Sequence, residues 1–123
     1  MENYSIVVNG NLTVNGGNYI FQNLFGVGVS QNGKLTVNDG KFTTPKDYYL
    51  IGSWGDTTIN GGEFEAGYCN VNGFEGTLNI NGGKFTVSDK EYGSDVFAGD
   101  GVANITGGDF SACFSQEKRK GTL

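Results

Sequence analysis

Histidine is absent from the 123 residues, which include one proline, one tryptophan and two cysteines. Without histidine the chain has no Ser-His-Asp triad, no Cys-His pair and no imidazole ligand for a metal. Cationic side chains are scarce too: eight Lys and Arg against thirteen Asp and Glu leave a net charge of −5. A nucleic-acid partner calls for a basic face, so none is expected. No apolar run is long enough to suggest membrane insertion, and Met1-Glu2-Asn3-Tyr4 does not read as the start of a signal peptide.

What the chain has in quantity is glycine, 22 residues, together with nine Phe and six Tyr. So many rings are foreign to a disordered chain. So much glycine is foreign to a helical one, because each interior Gly costs roughly 1 kcal/mol against Ala. Both observations point to a single all-β domain over residues 1–123, with glycine at its bends.

An internal repeat organises the chain. Leu12-Thr13-Val14-Asn15-Gly16-Gly17-Asn18-Tyr19 returns as Leu35-Thr36-Val37-Asn38-Asp39-Gly40-Lys41-Phe42 and as Thr57-Thr58-Ile59-Asn60-Gly61-Gly62-Glu63-Phe64. It returns again as Leu78-Asn79-Ile80-Asn81-Gly82-Gly83-Lys84-Phe85 and Ala103-Asn104-Ile105-Thr106-Gly107-Gly108-Asp109-Phe110. The second glycine position falls at 17, 40, 62, 83 and 108, with spacings of 23, 22, 21 and 25. Within each copy the aliphatic residues stand two apart, as in a strand with one buried face. Asn-Gly-Gly then supplies a tight bend, and an aromatic residue opens the next strand. Further extended segments are expected at Phe25–Ser30, Tyr48–Trp54, Tyr68–Val71 and Val96–Ala98.

A period of this length with three strands is one rung of a solenoid. The expected fold is a right-handed, single-stranded parallel β-helix of about five rungs of about 22 residues, three short strands each. Stacked rungs lie about 4.8 Å apart and align equivalent residues. Val14, Val37, Ile59, Ile80 and Ile105 should form a buried ladder, and Tyr19, Phe42, Phe64, Phe85 and Phe110 an aromatic stack. Asn15, Asn38, Asn60 and Asn81 should form an amide ladder at the corner, broken at Thr106. Leucine-rich and calcium-binding nonapeptide repeats need patterns the chain lacks. An ice-binding face needs a broad Thr array, whereas the outward column Thr13, Thr36, Thr58, Asn79 and Asn104 is one residue wide and only partly Thr.

The repeat, with Ser53-Trp54-Gly55 just before its third copy, resembles the pectate-lyase-like right-handed parallel β-helices of phage appendages and bacterial cell surfaces. The resemblance implies a rigid module for display, attachment or glycan binding. Some relatives are polysaccharide lyases or hydrolases, which raises the question of catalytic residues here. A lyase of this kind would use a calcium-binding carboxylate cluster and a basic side chain. The only Arg, Arg119, falls in the run Glu117-Lys118-Arg119-Lys120, expected to be a solvated loop between rungs and a poor place for a catalytic base. A glycosidase needs two carboxylates facing a sugar. Glu63 and Glu65 share a strand face but neighbour Lys41 and Lys84 in the stack, so a cross-rung charge ladder is the simpler account.

Glycan binding instead needs exposed rings beside carboxylates or amides. Asp47, Tyr48, Tyr49, Trp54 and Asp56 cluster in one rung, and alternation cannot bury all three rings; Phe74 and Tyr92 are further candidates of this kind. Cys69 and Cys113 fall two rungs apart, about 9.6 Å, beyond the roughly 7 Å Cα limit of a disulfide. Both are expected to be free, buried thiols. The ends of the sequence carry no evident cap, so the end rungs are expected to meet another copy or a neighbouring β-helix segment.

The sequence therefore leads to a non-enzymatic structural or receptor-binding module with no cofactor and no metal, contacting cell-surface polysaccharide. Its expected setting is a phage virion appendage, with localisation on the virion, the cell surface or outside the cell. The alternatives are a repeat fragment of a secreted bacterial adhesin and a subunit of a head-to-tail stacked fibre.

Overall fold

The computed structural model describes residues 4–22, 25–44, 48–89 and 91–111. All regular structure among them is β-strand, and the chain winds as a parallel β-solenoid of five rungs. The first rung is β1 (Tyr4–Val8) and β2 (Asn11–Ile20), and the second is β3 (Phe25–Val29) and β4 (Lys34–Thr43). The third comprises β5 (Tyr49–Ser53), β6 (Asp56–Ile59) and β7 (Glu63–Ala66). β8 (Cys69–Gly73), β9 (Thr77–Ile80) and β10 (Lys84–Val87) make the fourth. β11 (Ser94–Ala98), β12 (Val102–Ile105) and β13 (Asp109–Phe110) make the fifth.

Three faces result. β1, β3, β5, β8 and β11 pair in that order as the first face. The leading halves of β2 and β4 with β6, β9 and β12 form the second, and their trailing halves with β7, β10 and β13 form the third. The aliphatic ladder runs as the repeat implies: Val37, Ile59 and Ile80 are fully buried, with Val14 and Ile105 packed against them at the two ends. Beside it the five rings stack through the core. Centroid separations are 4.9 Å for Tyr19–Phe42, 5.1 Å for Phe42–Phe64, and 4.8 Å for both Phe64–Phe85 and Phe85–Phe110. Those separations match the spacing of paired strands, so each ring sits directly over the last.

The corner explains the Asn-Gly-Gly pattern. The second glycine of every copy has φ between +107° and +130°, which side-chain-bearing residues rarely adopt. The first glycine of the later copies lies against the rung below: a Cβ on Gly82 would stand 2.5 Å from the Asn60 carbonyl oxygen, and one on Gly107 2.4 Å from that of Asn81. Asp39 occupies this slot in the second rung and carries a Cβ. There the register between β2 and β4 shifts, Asn15 pairing with Asp39, and the two strand halves run on as one ten-residue strand. The first two rungs thus differ from the expected three short strands because Asp39 cannot tuck in as glycine does.

The amide ladder is longer than expected. Asn38, Asn60 and Asn81 each donate Nδ2 to the Oδ1 of the residue one rung down, all at 2.9 Å. Thr106 continues the ladder: its hydroxyl donates to Asn81 Oδ1 at 2.8 Å. What the ladder requires is one donor aimed at the amide oxygen, and a hydroxyl meets that need. On the third face Lys41, Glu63, Lys84 and Asp109 alternate in register. The ion pair that forms is diagonal, Lys41 Nζ to Glu65 at 3.8 Å. It is half exposed and adds little stability.

Candidate functional site

The outer side of the first face differs from the rest of the surface. Along its strands Val27, Val29, Ile51, Val71 and Val96 point into the core. Between them, facing out, runs the column Val7, Gly28, Gly52, Asn72 and Phe97. Strict alternation fails where β5, β8 and β11 begin. The pairs Leu50–Ile51, Asn70–Val71 and Asp95–Val96 are each buried at both residues. Asn70 is held inside by donating to the Thr86 carbonyl at 2.8 Å and to Asp95 at 2.9 Å. The residues just before, Tyr49, Cys69 and Ser94, line the outer side beside Asn72 and Phe97.

Glycines in the outward column make room for rings to lie on the sheet. The Tyr4 phenol rests where a Gly52 side chain would be, since a Cβ there would meet its hydroxyl and ring. From Tyr4 a continuous set of aromatic contacts crosses the face. Tyr4 packs on Phe25 at 5.1 Å, and Phe25 meets Tyr49 nearly face on at 5.4 Å and Tyr48 edge on at 5.2 Å. Tyr49 reaches Tyr68 at 5.8 Å. Trp54 meets Tyr4 edge on at 6.0 Å and stacks on Phe74 at 4.3 Å with 13° between ring planes.

Two depressions flank these rings. Phe74 lies one rung above Trp54, and on the opposite side Trp54 borders a shallow hollow of about 440 Å³ shared with Asn9, Ser30, Gln31 and Asn32. An indole and four amide or hydroxyl side chains thus face one open space. The other depression, of about 290 Å³, lies between Tyr49, Tyr68, Tyr92 and Phe97, with Cys69, Asn72 and Ser94 completing its wall.

Burial keeps this face uncharged. Desolvation raises the Tyr4 and Tyr49 phenols above their ordinary value near 10, and the neighbouring Cys69 adds to the effect at both. Desolvation also pushes the Cys69 thiol up to about 12, against hydrogen bonds that favour the thiolate. Each folded-state pKa lies above its unfolded value, so the associated stability is complete below pH 9 and is lost as pH rises toward 12. Thermal stability is accordingly expected to fall as pH rises above 9. With Cys113→Ser removing the other thiol, native Cys69 should alkylate at pH 8 on the order of 10³-fold more slowly than in urea, following the thiolate fraction. A native rate equal to the unfolded one would contradict the burial.

The residues singled out from sequence are only partly brought together. Tyr48, Tyr49 and Trp54 join one aromatic face through Phe25 and Tyr4. Asp56 opens β6 on the neighbouring face, exposed and in register with Lys34. Asp47 and Cys113 lie outside the described residues; Cys69 is free and buried, as expected. Phe74 proves to be the ring on which Trp54 stacks, and Tyr92 stands at the rim of the smaller depression. Tyr4, Phe25, Cys69, Asn72 and Phe97 belong to the face without having been singled out for it. Among the described residues no three of Cys, Asp and Glu gather as a metal site would require.

The chain matches no protein-family model, no curated protein and no solved structure. Fold and surface together define a parallel β-solenoid repeat protein with one aromatic outer face.

Proposed function

We propose that the protein is a non-enzymatic β-solenoid that binds polysaccharide through the aromatic outer face of its first sheet. The observation that carries the reading is Trp54, with Phe74 on one side and an amide-lined hollow on the other. Sugar rings offer apolar C–H faces and a rim of hydroxyls. An aromatic plane takes the former, and Asn and Gln side chains, which both donate and accept, take the latter. The large rings of the aromatic repeat column are spent in the core, so a second set, half-buried on the outer side of the first face, needs another explanation. The proposed setting is a virion appendage or cell surface of the right-handed, pectate-lyase-like kind that the repeat resembles.

A rigid stack of rungs suits such a role because it holds the rings at fixed spacing before the ligand arrives, which lowers the entropy lost on binding. On a glycan array the full chain should retain neutral polysaccharides, and Trp54→Ala should bind them at least about tenfold more weakly, as loss of an aromatic anchor does. Equal retention of both proteins would remove Trp54 from the site.

A further inference from the structure

We propose that the smaller depression, between Tyr49, Tyr68 and Phe97, seats one neutral pyranose ring whose hydroxyls are read by Asn72 and the Tyr49 phenol. The inference rests on the glycan reading above and names the unit recognised. At about 290 Å³ the space sits at the small end of ligand pockets, roughly 300–1,000 Å³. That is room for a single ring rather than a chain.

Asn72 is the central observation. It is 3% exposed, and its Oδ1 has no hydrogen-bond partner. In the exposed ladders stacked asparagines satisfy one another: Asn38, Asn60 and Asn81 in one, and Asn104 on Asn79 at 3.2 Å in another. Asn70 Oδ1 is also buried without a partner, but Asn72 is the one of the two that lines the depression. Asn72 cannot be satisfied in this way, because its neighbours in register are Gly52 below and Phe97 above. Neither side chain can donate a conventional hydrogen bond. A buried acceptor left without a donor is costly, so an amide kept at this position calls for a partner from outside the stack.

The chemistry of the wall narrows that partner. Its side chains are Tyr, Cys, Asn, Ser and Phe, with no ionised group to balance a carboxylate, phosphate or ammonium. Asn72 and the Tyr49 phenol line the same wall, so an acceptor, Asn72 Oδ1, and a hydroxyl that can donate, Tyr49 O–H, border one space. Adjacent sugar hydroxyls, each able to give and take a hydrogen bond, fit that pair. A quaternary ammonium would satisfy the rings but has no proton for Asn72 Oδ1. The amide lies just beneath the rim, where Tyr92 is 70% exposed.

The test uses the full chain, its Asn72→Leu variant, and four free sugars: glucose, galactose, mannose and N-acetylglucosamine. Binding is read by ligand-observed NMR and calorimetry, with tetramethylammonium as a cationic probe. The native chain should bind at least one sugar, and Asn72→Leu should lose about tenfold in affinity. Asn72→Leu removes an unsatisfied buried group, so its melting temperature should be unchanged or higher, which separates lost binding from lost folding. The assignment is overturned if Asn72→Leu binds the sugar as the native chain does, or if tetramethylammonium binds and the sugars do not. It is also overturned if an array polysaccharide binds while none of the four sugars does; in that case the glycan reading stands. If neither sugars nor polysaccharides bind, the glycan reading itself fails and the inference with it.

Discussion

Phe64→Ala is expected to destabilise the protein by about 4 kcal/mol, the middle of the range for removing a buried Phe. Phe64 is fully buried at the centre of the five-ring stack, lying on Phe42 at 5.1 Å with 2° between planes and on Phe85 at 4.8 Å with 9°. Truncation opens a cavity between two rings that cannot close on each other, because the rung spacing is held by backbone pairing on either side. Against a total stability of about 5–15 kcal/mol for a domain, this loss should lower the melting temperature by about 15 °C or more. Phe64→Leu refills most of the volume and removes only the stacking, about 0.5–1.5 kcal/mol for each ring pair. The comparison therefore separates volume from ring geometry. Equal melting of the native, Leu and Ala forms in calorimetry would mean that the rings do not stack as described.

Two corner glycines, Gly83 within the stack and Gly16 in the first rung, should respond oppositely despite their similar appearance in sequence. Gly83→Ala is expected to cost about 2–3 kcal/mol, since it forces a side chain into a strained backbone region. Its φ is +108°, and the added Cβ would approach the Phe85 ring to 3.1 Å. Gly16→Ala should be neutral or stabilising by about 0.4–1 kcal/mol, through the reduced freedom of the unfolded chain. Nothing lies within 4 Å of its Cβ position, and its φ is not in the positive range. Chemical denaturation of the two variants measures the contrast directly. Comparable losses in both would contradict the open space at Gly16, which has no rung beneath it, and the strain at Gly83.

The rungs were legible because the sequence repeats the same physical requirement five times. A period-two aliphatic pair, a glycine at positive φ and a ring two residues later can be satisfied together only if the copies stack. That is why the ladder through Ile59 and the ring column through Phe64 follow from spacing alone. Thr106 was less legible, because a change of residue type masked a function that stayed the same, donation to Asn81. Asp39 shows the reverse case: one Cβ in a glycine slot changed strand pairing across two rungs.

The outer face was half legible. Tyr48, Tyr49 and Trp54 stood out as too many rings for one interior. Phe74 was singled out only as a further ring of the same kind; that Trp54 stacks on it became visible in the structure. The smaller depression could not be read in the same way. Strict alternation sends Tyr49, Cys69 and Ser94 inward with Ile51, Val71 and Val96. Leu50, Asn70 and Asp95 are buried instead, and Tyr49, Cys69 and Ser94 line the outer side. Asn72 gave no signal of its own, because its isolation is visible only once Gly52 and Phe97 are known to be its neighbours.

The chain has one tryptophan, and it stands on the proposed binding face. Intrinsic fluorescence therefore reports on the central claim without a label. Titrating the full chain with neutral polysaccharides drawn from an array should give a saturable change in Trp54 emission, lost in parallel with binding when Gln31 and Asn32 are replaced by alanine. Polysaccharide binding that leaves Trp54 emission unchanged, or the absence of binding across the array, would contradict the account.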